Sequence, residues 1–189
     1  MGIFSRLRKN QNYSLKKADF KTEKEEYQSE VTFISEDFKK SLAEWKKKEG
    51  IADIKNETGK IISIANHTDV DILRNKVRVQ YDPTELEIDE GLFITKLNEK
   101  LDWISRNENE INSAITEKLL PLKNEDWIEE NETIISKKEF VKRIKLTFIL
   151  VFDDTSLELV YDDGDLFWKH QIVVDLNKEN KITDVDISG

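Results

Sequence analysis

Beyond residue 145 the apolar residues of this chain stop recurring at helical spacing and begin to alternate. Four runs carry the alternation: 145–152, 156–161, 171–176 and 181–187. A period of two places every second side chain on one face of a strand. Between the runs stand Asp153-Asp154-Thr155, Asp162-Asp163-Gly164-Asp165 and the segment from Asn177 to Asn180. These are residues of tight turns. Strands joined by links this short pair as antiparallel neighbours, because a parallel partner needs a crossover of a dozen residues or more. A C-terminal antiparallel meander is therefore expected.

Upstream the period is mostly helical. Leu97, Leu101, Ile104, Ile111, Ile115 and Leu119 make one stripe, interrupted by Glu108, and predict a single helix over 89–120 that stops at Pro121. Ser136 and Glu139 form a capping-box pattern that opens a short helix through Phe140, Val141 and Ile144. Two further strands are expected, at 61–64 and at 76–81. In the N-terminal third, Phe20, Tyr27, Val31, Ile34, Phe38, Leu42 and Trp45 mark a helical face, although 31–34 also reads as a short strand. That helix serves either a partner or its own domain. The expected organisation is an N-terminal helical extension over 1–60 and an α+β domain over 61–189. In that domain an antiparallel sheet, the meander plus the N-terminal strands, packs on a long helix.

Composition removes several chemistries. Cysteine is absent, which excludes disulfides, thiolate metal sites and a cysteine nucleophile. No Gly-x-Ser-x-Gly elbow occurs. Thr58-Gly59-Lys60 is no phosphate loop, since Ile61 stands where a magnesium-binding hydroxyl belongs. Neither a cofactor nor a metal is expected. The net charge is −9, and residues 151–189 carry ten carboxylates against three lysines. Such a chain repels phosphate backbones, so nucleic acid is not an expected partner. No apolar run is long enough to span a bilayer, and none of signal-peptide length follows the basic start. The expected location is the cytoplasm.

Several residues carry a resemblance. They are Leu119-Leu120, Lys123-Asn124, Trp127 and Glu139-Phe140, then the run from Tyr161 through Asp162-Asp163-Gly164-Asp165-Leu166-Phe167-Trp168-Lys169-His170 to Ile172, and Ile187-Ser188-Gly189. Over residues 77–189 the chain resembles the bacterial domain-of-unknown-function family 2262. The family pattern has glycine between the tryptophan and the histidine, where this chain has Lys169. Glycine there implies a left-handed backbone or a close approach. The resemblance implies a fold, and an association with accessory or immunity proteins of bacterial conflict systems.

The candidate partner-binding residues all fall in that run: Asp162, Asp163, Asp165, Trp168 and His170. His170 is either a general base oriented by one of the aspartates or a structural histidine bonded to loop carbonyls. The aspartates form either a turn or an oxygen-rich cation loop, and the spacing favours the turn. Leu166-Phe167-Trp168 is either a plug under the loop or an exposed anchor. His67 is expected in a loop. No catalytic residue is assigned. The favoured reading is a non-enzymatic interaction module whose acidic face suits a basic protein partner such as a toxin. The alternative is a small-molecule-binding domain or an enzyme that uses His170 and the 162–165 loop.

Overall fold

The structure, a computed structural model, describes residues 12–28, 60–130 and 132–189. The chain divides into two compact units, Met1–Glu23 with Ala65–Gly189, and Lys24–Ile64. The first unit carries the described helices and most of the described strand residues.

Among the described residues, seven strands form one sheet in sequence order: β1 (Lys21–Gln28), β2 (Lys60–Ile72), β3 (Asn75–Tyr81), β4 (Lys145–Val151), β5 (Leu157–Asp162), β6 (Gln171–Leu176) and β7 (Ile182–Ser188). The expected meander is present, with β4 to β7 antiparallel throughout. Strands β2 and β3 form a hairpin, whereas β3 and β4 are parallel. Between those two strands the chain makes three helices, α1 (Glu90–Arg106), α2 (Glu108–Glu125) and α3 (Lys137–Arg143). That is the long crossover a parallel pair requires. Burial alternates along the strands: Val77, Val79 and Tyr81 are buried while Lys76 and Arg78 are exposed. One sheet face is thus covered by apolar packing, which gives the α+β layer expected. A bulge between Leu146 and Phe148 shifts the register of β4, and both Leu146 and Ile149 end in the core.

Four local expectations are corrected. The 89–120 stripe is two helices, because Asn107 interrupts the ladder. Its side-chain amide donates to Trp103 O at 2.8 Å, and its own carbonyl accepts from Glu110 N and Ile111 N to start the next helix. Helix α2 then runs through Pro121 to Glu125. Leu119 and Lys123, on either side of the proline, are both buried, and that packing outweighs the one lost backbone bond. His67 lies in β2 opposite Gln80, not in a loop. The hairpin that extends β2 turns at Leu73 and Arg74, whose φ angles of 50° and 68° carry no glycine or asparagine signal. Finally, residues 21–28 are strand, not helix. Phe20 and Tyr27 alone cannot supply a helical face there. The rest of the expected helix lies outside the described residues.

Residues 13–17 lie along α1. Asn98 clasps the backbone of Leu15 through both amide atoms, and Asp102 accepts from Tyr13 N at 2.9 Å. Beside this strap, Asn66 and Tyr81 are buried with all polar atoms engaged. Thr22 Oγ1 donates to Asn66 Oδ1 at 2.7 Å, and Tyr81 Oη donates to Glu90 Oε1 at 2.7 Å. Lys17 pairs with Glu90. The Lys17 ammonium, helped by the Tyr81 hydroxyl, holds the Glu90 carboxyl below its ordinary 4.5. A lowered folded value means stabilisation that is complete above 4.5 and lost as pH falls through the folded value. Glu90→Gln is therefore expected to flatten the acid limb of a thermal-stability profile. An unchanged limb would remove Glu90 from the linkage.

Candidate functional site

The segment after β5 is built by backbone conformations that side chains usually avoid. Gly164, Asp165, Trp168 and Lys169 have φ angles of 62°, 60°, 54° and 71°. At Gly164 only glycine fits, since a β-carbon would meet the Arg143 carbonyl oxygen at 2.6 Å. Arg143, in the last turn of α3, in turn donates to Gly164 O through both Nε and a terminal nitrogen, at 2.8 and 2.6 Å. The loop is thereby tied to the end of the helix that precedes the meander.

The three aspartates have different environments. Asp162 and Asp165 are exposed, but Asp163 is buried. The Asp163 carboxylate accepts from Phe167 N at 2.6 Å and from Asp165 N at 3.1 Å. It acts as an internal cap for the loop, so the expectation that all three face a partner is corrected at Asp163. Leu166 and Phe167 are fully buried, whereas Trp168 is 58% exposed. The buried and the exposed ring are consecutive residues, because two left-handed residues at 168 and 169 turn the chain outward after Phe167.

Trp127 is the hub of the site, although no local sequence pattern places it among the candidates. Its ring meets Phe167 edge-on at 5.5 Å, Trp168 at 4.8 Å and His170 edge-on at 5.3 Å. The resemblance residues Lys123 and Asn124 set its position. Lys123, 3% exposed, donates to Trp127 O at 2.7 Å and pairs with Glu132 at 2.5 Å. Asn124 exchanges two bonds with the backbone of Ile135. The sequence signal for Trp127 is its membership of the matching residues. Its contacts lie about 40 residues on, beyond any local pattern.

His170 Nδ1 lies 2.7 Å from Phe167 O. A carbonyl only accepts, so Nδ1 carries a proton and donates it to Phe167 O. The partner that fixes the tautomer is thus a backbone carbonyl. Gly189 closes over the ring, where a β-carbon would come within 2.3 Å of His170 Cδ2. The two separate matching stretches, 161–172 and 187–189, are therefore in contact. Among the described residues no group of three or more carboxylates or histidines is arranged to hold a metal ion, and no helix is long and apolar enough to cross a membrane.

Lys169 has a left-handed backbone, at φ 71°, a region that glycine enters without steric cost. A non-glycine residue pays about 1–2 kcal/mol for that region. Lys169→Gly is expected to raise stability by about 0.5–1 kcal/mol, read as a higher denaturant midpoint at unchanged slope. A lower midpoint would show that the lysine side chain contributes more than its backbone costs.

A model of the bacterial family described as "Uncharacterized protein conserved in bacteria (DUF2262)" matches residues 65–187. Neither the curated proteins nor the solved structures yield a match.

Proposed function

This chain belongs to the DUF2262 family of bacterial proteins, and on that premise we propose that it is a non-enzymatic interaction module, one that binds a basic protein partner as an immunity or accessory protein of a conflict system does. The observation that carries the reading is Trp168. A tryptophan 58% exposed is backed by Trp127 and held outward by a left-handed backbone. Large rigid aromatics in that setting are the usual anchors of interfaces. Asp162 and Asp165, earlier in the same segment, are exposed carboxylates. They supply the long-range attraction that speeds encounter with a positive surface. The enzyme alternative has less support from the geometry, since His170 Nδ1 meets a carbonyl and the Asp163 carboxylate is engaged by backbone N–H groups.

The test begins with the protein captured by the full chain in its host. Trp168→Ala is expected to weaken that complex by tenfold or more, on the order of 1.4 kcal/mol, while costing the fold only about 1 kcal/mol from the lost ring pair. Asp162→Asn with Asp165→Asn is expected to slow association and flatten its salt dependence, with little effect on dissociation. A complex that survives Trp168→Ala with unchanged affinity would sink the reading.

A further inference from the structure

Strand β7 ends the sheet, and among the described residues no strand pairs with its outer side. Such an edge is a template for another strand, because the backbone groups on its outer side have no ladder to join. The sequence of β7 favours that pairing. Ile182, Thr183, Val185 and Ile187 are all β-branched, and only Asp184, Asp186 and Ser188 interrupt them. The two aspartates are exposed, and each bonds the backbone of the residue that follows it. Val185 N donates to Asp184 Oδ1 at 2.8 Å, and Ile187 N donates to Asp186 Oδ1 at 2.8 Å. Residues two apart send their N–H groups to the same side of a strand. Both of these bond side chains and not β6, so that side is the outer one. Lys118 of α2 fixes the first of the two carboxylates, donating to Asp184 Oδ1 at 2.6 Å. The Lys118 ammonium, helped by Val185 N–H, holds the Asp184 carboxyl below its ordinary value, so it remains a charged acceptor at neutral pH.

We propose that Asp184 and Asp186 guard the β7 edge against pairing with β7 of a second copy of this chain. An N–H already bonded to a carboxylate is not offered to an incoming strand, so pairing would first have to break both bonds. The spacing of the two aspartates makes the guard specific for a second copy. Two β7 strands laid antiparallel about Val185 would set each Asp184 opposite the other copy's Asp186, and like charges directly opposite are destabilising. Glycine or proline would also weaken an edge, but β7 contains neither. Its protection therefore rests on the two carboxylates.

The test is sedimentation of the full chain over a concentration series. Asp184→Ala with Asp186→Ala is expected to self-associate at least about tenfold more tightly than the wild type. Glu85→Ala with Glu87→Ala removes the same charge from exposed positions between β3 and α1, and is expected to sediment as the wild type does. Ile187→Pro added to the edge pair is expected to abolish the gain, since proline is tolerated where an edge N–H faces outward and gives a further strand nothing to bond. Asp186→Ala alone keeps the Lys118–Asp184 pair and carries the test if the double variant does not fold. It too is expected to associate more tightly than the wild type. Unchanged association in the folded edge variants, an equal gain in the Glu85 and Glu87 pair, or a gain that survives Ile187→Pro would overturn the proposal.

Discussion

Phe167→Ala is expected to lower stability by about 3–5 kcal/mol, the range for truncating a buried aromatic. The residue has no exposed surface, and its ring touches Trp127 at 5.5 Å and Phe140 at 6.1 Å. Those contacts join the α2–α3 connection, helix α3 and the loop after β5, so the void cannot be filled by moving one element alone. The loss is a large part of a typical total of roughly 5–15 kcal/mol. In a domain of this size it corresponds to a melting temperature lower by on the order of 10 °C. The neighbouring Trp168→Ala is the comparison, since it removes a larger ring from an exposed position. Equal losses at the two positions would contradict the division into a buried and an exposed ring.

Asp163→Ala is expected to cost about 2–4 kcal/mol. Two backbone N–H groups, of Asp165 and Phe167, lose a charged acceptor, and hydrogen bonds to charged groups contribute about 1.5–3 kcal/mol each before any relaxation. Asp163→Asn should recover only part of the loss, because its amide nitrogen would present a donor to one of those N–H groups. Asp162→Asn and Asp165→Asn are expected to stay within about 0.5 kcal/mol, as exposed substitutions do. Urea unfolding of the four variants checks the ordering. A neutral Asp163→Ala would return that carboxylate to the partner-facing set.

Legibility in the sequence depends on the range of each interaction. Strands β4 to β7 were readable because each is specified by its own alternation and by the turn residues beside it. The Ser136 cap was readable for the same reason, and its Oγ accepts from Glu139 N at 3.2 Å. The break at Asn107 was not, since the apolar spacing from Ile104 to Ile111 fits an unbroken helix equally well. The turn at Leu73-Arg74 was not either. There the pairing of β2 with β3 imposes a conformation that neither residue prefers.

The sequence by itself determined the meander, the α+β class and the segment in which the candidate site lies. Only the tertiary structure decided what each residue of that segment does. Asp162, Asp163 and Asp165 are the same side chain within four positions, and one is buried because the loop bends around it toward two N–H groups. Phe167 and Trp168 are adjacent aromatics, and left-handed backbone at 168 and 169 separates inside from outside. Trp127 joins them through contacts made across the fold. Period and propensity act over a few residues, whereas burial is set by whatever the chain brings near from far away, and that information is not local to any one stretch of sequence.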